Sequence, residues 1–288
     1  VTVGAVVAVR GWSPYLAEAL DCVLAEGPAE VVVVDDASSD PVVLHPDHAP
    51  RVTLVRREAA GGPGAARNTG VGALGAAVEL VAFCDADDAW VPGSLARRTA
   101  ALAADPGAAG AFGSALVVGP DGRPTGERWA PAPAGRFADL AALYARNPIL
   151  TSSVVLRRAA FPGFDERYRT AEDWELWLRL VRDGRALLSV PGAIVRYRRH
   201  PDGLTADLTE LARAQRRLHE AYADAVPGAV RDRALATDRA GEAAGLLRDG
   251  RPAEARALLA PGVRRAVLGV PGLRGLVGRR DPYARRRG

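Results

Sequence analysis

Lysine and methionine do not occur in this 288-residue chain, so all 38 basic side chains are arginines. Cysteine is nearly absent as well. Cys22 and Cys84 stand far apart, which argues against a disulfide framework, and no Cys/His cluster has the spacing of a zinc site. Both are expected to be small core residues of a protein kept reduced. No run reaches the roughly 18 consecutive apolar residues of a membrane-spanning helix, and the opening VTVGAVVAVRGW has no basic leader before a cleavable apolar stretch. The expectation is a cytoplasmic protein.

What is present suffices for a substantial core. Hydrophobic side chains make up 48% of the chain and charged ones 25%, which fits one large domain with an appendage and excludes wholesale disorder. The net charge of +4 is unevenly placed. Eight arginines and one aspartate between Arg264 and Gly288 give a local +7, which leaves −3 over the first 263 residues. A basic nucleic-acid-binding surface over the main body is therefore excluded. The arginine-rich end, poor in large apolar residues, fits solvated disorder or weak attraction to an anionic membrane surface, with an acidic partner as a third reading.

The chain opens with an apolar strand pattern over Val3 to Val9, a turn-like RGWSP, and a helical pattern in which Leu16, Leu20, Val23 and Leu24 share a face. The β-branched run EVVVVDD (Glu30 to Asp36) reads as a strand buried on both sides of a parallel sheet. RVTLVR is a third strand, GGPGAARNTG a glycine-rich loop, Val71 to Ala77 a helix, and Leu80 to Cys84 a fourth strand. This alternation implies a mainly parallel sheet flanked by helices, with ligands bound beyond the carboxyl ends of its strands. Two of those ends are acidic: Asp35-Asp36 and the run Asp85, Asp87, Asp88.

Further on, the pattern predicts a helix over Gly93 to Ala104, a hairpin around Pro120-Asp121-Gly122, and a helix around Phe137 to Ala145. TSSVVLRR reads as a short strand or junction, and LLSVPGAIVRYRRH as a strand ending at His200. Between them a strong helix is expected over Thr170 to Arg182, with Trp174 and Trp177 at core spacing and Thr170 forming a capping box with Asp173. Three helices are expected after His200, over Ala206 to Ala225, Val230 to Arg248 and Pro252 to Leu259.

The run DADD carries the most chemistry. Two hard-oxygen ligands one residue apart suit a Mg2+ or Mn2+ ion held mostly by substrate phosphates, although an isolated Asp-x-Asp also serves as a turn or helix cap. Asp88 is expected to cap the following helix. His45, His48 and His219 match no motif and are expected to face solvent.

Taken in order, EVVVVDDASSD, GGPGAARNTG, AFCDADDAWVPGSL, SSVVLRR, GFDE, AEDWELWLRL and YRRH resemble the family 2 glycosyltransferases with the glycosyltransferase A fold, over about Val3 to His200. The resemblance implies an α/β fold with a nucleotide-binding, mainly parallel sheet. It divides the chain into a catalytic domain over 1–203, with a nucleotide-binding part (1–104) and an acceptor-binding part (105–203). A helical extension over 204–263 and the basic tail over 264–288 complete it. The implied reaction is metal-dependent, inverting transfer of a sugar from a nucleoside diphosphate, UDP foremost, to a hydroxyl of a glycan, a lipid-linked sugar or a natural product. The place of action would be the cytoplasm, or its membrane face.

By the same resemblance, Val9, Asp36, Arg67, Asp85 and Ala86 belong to the nucleotide site, and Asp87 and His200 to the divalent metal. Asp173 is the implied general base, with Glu172, Trp174 and Arg199 nearby on the acceptor side. One departure stands out. Ala8-Val9-Arg10-Gly11 replaces the family's Pro-[ST]-Tyr-Asn in the first loop, next to Trp12.

Other classes fit less well. Sugar-phosphate nucleotidyltransferases use a working lysine, which this chain lacks, and a dehydrogenase would need a G-x-G-x-x-G turn ahead of its acidic strand. The remaining alternative is a degenerate, glycosyltransferase-like binding or scaffold protein. That reading predicts lost acids, yet Asp36, Asp85, Asp87 and Asp173 are all present.

Overall fold

The computed structural model describes residues 1–129, 133–201, 203 and 207–258. The basic tail over 264–288 lies outside the described residues. The chain divides into two compact units: Val1–Leu143 with Asn147–Arg199, and Tyr144–Arg146 with His200–Gly288.

In the first unit β1 (Val3–Val9) leads through α1 (Leu16–Ala25) to β2 (Glu30–Asp35), β3 (Thr53–Arg56), α2 (Pro63–Ala73) and β4 (Leu80–Asp85). These four strands are parallel and ordered β3-β2-β1-β4. The long valine runs follow from this, since β1, β2 and β4 are buried almost end to end. Because β1 lies between β2 and β4, register sets Val9 opposite Asp35 and Ala8 opposite Asp85. The two acidic strand ends thus flank the end of β1, where strand order reverses and such sheets open a crevice.

The sheet continues through β5 (Ala89–Trp90), α3 (Ser94–Ala104), β6 (Gly110–Val118), β7 (Pro124–Trp129), β8 (Gly135–Phe137), α4 (Leu140–Ala145), β9 (Val155–Arg157), α5 (Glu172–Arg182) and β10 (Leu187–Arg198). β9 inserts antiparallel between β4 and β6, and β10 runs parallel to β6. The expected hairpin is β6–β7. The helix expected from Phe137 begins only at Leu140, because Gly135–Phe137 pairs with β10 as a strand.

Three other expectations need correction. The segment read as a glycine-rich loop is the helix α2: Gly62 takes φ 88°, Pro63 opens the first turn, and glycines supply close contacts. A Cβ on Gly70 would lie 2.4 Å from Val6 Cγ1, so the helix lies directly on β1. The capping box at Thr170 does not form; Ala171 occupies the N-cap position with φ 63° and no side chain caps the helix. Asp88 does not cap α3, whose N-cap is Gly93; it is buried and accepts a hydrogen bond from the Arg198 N–H at 2.9 Å.

The second unit contains α6 (Leu208–Ala221), α7 (Gly228–Arg248) and α8 (Pro252–Leu258). Asp207 caps α6 by accepting the Glu210 N–H at 2.9 Å. His219 is buried rather than solvent-facing. Its Nδ1 meets the Asp238 carboxylate at 2.6 Å and its Nε2 the Tyr144 carbonyl at 2.7 Å. In the first unit His48 is likewise buried, against Asp21 at 2.8 Å, while His45 is exposed as expected. Cys84 is a core residue and Cys22 only half-buried. No helix among the described residues is long and apolar enough to cross a membrane.

Candidate active site

The site is built at the carboxyl ends of β1, β2 and β4. Asp35, fully buried at the end of β2, accepts the Ser38 N–H at 2.9 Å, the Val42 N–H at 3.2 Å and Arg56 Nη1 at 2.6 Å. Burial pushes its pKa up, but the Ser38 hydroxyl and amide, the Val42 amide and Arg56 outweigh that and hold it below the ordinary carboxylate value. Ser38 Oγ in turn accepts the Gly11 N–H at 2.7 Å, which pins the loop after Val9.

Asp36 is also buried. Its carboxylate accepts the Gly61 and Gly62 N–H groups at 2.9 and 2.8 Å and pairs with Arg57 Nε at 3.1 Å. Its ligands in this structure are thus the entry to α2, and Ala37 beside it holds φ 53°, a strained value for alanine.

Arg67 occupies the centre of the site. It is buried on α2, donating from Nη2 to Asp85 Oδ1 and from Nη1 to Glu172 Oε1, both at 2.6 Å. The guanidinium lies over the Phe164 ring at 5.4 Å, and Phe164 packs with Phe83 and Phe161. Burial works against its charge, but Asp85 and then Glu172 outweigh burial and raise its pKa. Helix α2 approaches α5 closely here: a Cβ on Gly64 would meet Phe164 Cβ at 3.1 Å and Glu172 Cγ at 3.2 Å.

Glu172 and Asp173 open α5. Burial raises the Glu172 pKa, with Arg67 opposing. Asp173 retains partial exposure; burial and the neighbouring Glu172 charge push its pKa up to about 7, against the pull of Arg67, the Trp174 amide and the Thr151 hydroxyl. Its Oδ1 accepts the Trp174 N–H at 2.6 Å and its Oδ2 the Thr151 hydroxyl at 3.2 Å. Trp174 is buried and donates its indole N–H to the Leu143 carbonyl at 2.8 Å, as a core residue does.

The acidic turn is held from below. Ala86 is buried, and its carbonyl accepts the Ser13 hydroxyl at 3.3 Å. The Asp87 carbonyl accepts Arg198 Nε at 2.9 Å, and its side chain is half-exposed. Burial, then the charges of Asp87 and Asp85, push the Asp88 pKa well up. Arg199, half-exposed, pairs with Glu127 at 2.6 Å. His200 is the first residue of the second unit after Arg199.

The structure therefore brings Val9, Asp36, Arg67, Asp85, Ala86, Asp87, Glu172 and Asp173 onto β-strand ends and the two helices that meet them. Sequence reasoning missed Thr151 and Ser152, which touch Asp173 and the acidic turn. Their signal lay in TSSVVLRR, read as a short strand or junction and as part of the family resemblance but given no site role.

Residues 5–162, more than half of the chain, match the family described as Glycosyl transferase family 2. The chain belongs to that family. Uncharacterized proteins of Mycobacterium tuberculosis and Mycobacterium bovis are each 34% identical to it over 206 residues, covering 66% of this chain and 56% of theirs. The match thus spans little more than half the length of those relatives. The succinoglycan biosynthesis protein ExoO of Rhizobium meliloti is 40% identical over 122 residues, 41% of this chain and 34% of that protein.

The family 2 chain also shares its fold with solved structures. Residues 1–349 of S. aureus TarS align with a TM-score of 0.61 at 17% identity, over 93% of this chain and 87% of that one. A mannosyltransferase of Pyrobaculum calidifontis, in complex with GDP-Man and Mn2+, aligns at 0.58 and 20% identity, over 96% of this chain and 78% of that one. The architecture is the glycosyltransferase A fold that the motifs led us to expect.

Proposed function

We propose that this chain is an inverting, metal-dependent glycosyltransferase that moves a sugar from a nucleoside diphosphate, UDP foremost, to an acceptor hydroxyl, with Asp173 as general base. The observation that carries the reading is the charged chain Asp85–Arg67–Glu172, which links the acidic strand end to the residue next to Asp173. A carboxyl whose pKa sits near 7 is matched to accept a proton near neutral pH. Solved neighbours bound to UDP, UDP-GlcNAc and GDP-Man support a nucleotide-sugar donor.

In the reaction Asp173 takes the hydroxyl proton of the acceptor as that oxygen bonds to the anomeric carbon. The bond from that carbon to the diphosphate oxygen breaks on the opposite face, so configuration inverts. Val9, Asp36, Arg67, Asp85 and Ala86 line the nucleotide end, and Glu172 and Arg199 the acceptor end, while Trp174 stays a core residue. The acceptor is a hydroxyl compound such as a glycan, a lipid-linked sugar or a natural product, met in the cytoplasm or at the membrane's inner face.

The donor chemistry fits a divalent ion of the Mg2+ or Mn2+ kind. Asp85 and Asp87 are partly exposed hard-oxygen donors, and among the described residues no three His, Cys, Asp or Glu close around a metal. Such a sparse set suits an ion bound by one or two carboxylates plus substrate phosphates. Asp87 would hold it; when bound it supplies neutralising charge to the departing diphosphate.

Calorimetric titration with UDP, GDP and dTDP, each with Mn2+ and then with EDTA, tests the reading. Metal-dependent binding of one nucleotide is expected. Absence of binding to all three contradicts it and favours a degenerate binding protein.

A further inference from the structure

The 3-10 turn Thr151–Ser153, between α4 and β9, lies within the first unit and is buried throughout. Buried hydroxyls need partners, and three successive ones on a single turn are costly unless each is bonded. Here they are all committed. Thr151 Oγ1 donates to Asp173 Oδ2 at 3.2 Å, Ser152 Oγ accepts the Asp85 N–H at 2.9 Å, and Ser153 Oγ donates to the Leu150 carbonyl at 2.7 Å, closing the turn. The Ser152 carbonyl accepts the Trp90 indole N–H at 2.9 Å.

We infer that this turn is a positioning element: Thr151 orients the Asp173 carboxylate while Ser152 fixes the acidic turn that receives the donor. The inference rests on the reaction proposed above. With the Trp174 N–H on Oδ1 and the Thr151 hydroxyl on Oδ2, rotation of the carboxylate about its Cβ–Cγ bond is restrained from both sides. The reacting oxygen and the base must stay aligned within a fraction of an ångström for a proton to move as the new bond forms. Two adjacent residues on one short turn set the base and the donor end in a common frame, which a pair of separate loops would not.

The Thr151 bond has a second consequence. A hydrogen bond donated to a carboxylate favours its charged form. The other charged groups facing Asp173 are Glu172 on α5, which opposes that form, and Arg67 on α2, which supports it. Removal of the Thr151 hydroxyl therefore moves the protonation of Asp173 to higher pH.

The test uses the full chain with donor and acceptor under saturating metal. Thr151→Val is expected to lower kcat by about tenfold to a hundredfold, leave donor KM within about twofold, and shift the acidic limb of the pH–rate profile to higher pH. Thr151→Ser, which keeps the hydroxyl, should restore both. Ser152→Ala should instead act on donor KM. In an Asp173→Asn background, Thr151→Val should add no further loss, since the group it positions is gone.

A Thr151→Val enzyme with normal kcat and an unmoved pH profile overturns the inference while leaving the proposed base intact. Equal defects in Thr151→Val and Thr151→Ser also overturn it, because packing rather than the hydroxyl would then be at work. Full activity in Asp173→Asn removes the proposed base and this inference together. If Thr151→Val does not fold, the Ser variant's pH profile and the Ser152→Ala donor KM decide the matter.

Discussion

Arg67 and Glu172 lie 105 residues apart in the chain and meet at 2.6 Å in a buried ion pair. With Asp85 on the other arm of the guanidinium, this joins helix α2, strand β4 and the start of α5 through a single side chain. The join matters because α5 carries Asp173 and β4 leads into the acidic turn.

Removing the arginine should therefore be costly. Arg67→Met leaves Glu172 and Asp85 facing each other across a buried site, and breaking one partner of such a pair typically costs about 3–5 kcal/mol. Urea denaturation should show that loss. The double variant Arg67→Met/Glu172→Gln should regain a large part of it, because one uncompensated charge is removed as well. Equal stability of the single and double variants would mean that the pair does not organise this region.

Asp173 should make stability depend on pH. Its folded pKa of about 7 lies above the ordinary carboxyl value of 3.8, so between those values the folded chain holds a proton that the unfolded chain has released. Stability then falls as pH rises from near 4 through near 7, and the cost is fully present above that window. Asp173→Asn removes the titrating group. At pH 8 the variant should be more stable by about 1–2 kcal/mol, which corresponds to roughly 2–4 °C in Tm per kcal/mol for a domain of this size. Near pH 4 the two proteins should melt together. A variant that is less stable at pH 8 would contradict a part-buried, destabilising carboxylate.

Arg98 offers a contrast with Arg67. It is fully buried on α3, its Nη1 has no hydrogen-bond partner among the described residues, and burial pushes its pKa down to about 9. Its contacts are the Ser94 carbonyl at 3.1 Å, the Ser94 hydroxyl at 3.3 Å and the Trp90 ring at 4.6 Å from the guanidinium carbon. Apolar replacement of a poorly compensated buried charge is often neutral or stabilising by about 1–4 kcal/mol. Arg98→Met should therefore melt at or above the temperature of the parent and bind nucleotide equally well. A loss greater than about 2 kcal/mol would show that the guanidinium is better compensated than its contacts suggest.

Much of the parallel part of the sheet was legible in the sequence because β1, β2 and β4 are buried on both faces, and unbroken valine-rich runs announce that condition. The acidic strand ends were equally plain, since nothing in a core accounts for Asp35-Asp36 or Asp85, Asp87 and Asp88. Helix α2 was not. Its contact face uses Gly64 and Gly70 in place of large apolar residues, so no 3.6-residue hydrophobic period marks it. Pro63 after a glycine was the available signal.

The start of α5 misled for a different reason. Thr170 has the right spacing for a capping box, but the left-handed turn at Ala171 directs the chain so that Asp173 bonds the Trp174 amide and Thr151. The burial of His48 and His219 depends on Asp21 and Asp238, partners 27 and 19 residues away that no local pattern reveals. The insertion of β9 beside β4 is likewise a long-range event, and it is what carries Thr151 and Ser152 to the site.

The central claim is that Asp173 removes the acceptor proton. The most direct measurement compares Asp173→Asn with the parent in two assays: metal-dependent nucleotide binding by calorimetry, and sugar transfer by product formation. Binding within about twofold of the parent, together with a loss of transfer of about 10²-fold or more, is the predicted result. Near-normal transfer by Asp173→Asn would contradict the claim, and the proton acceptor would have to be sought elsewhere.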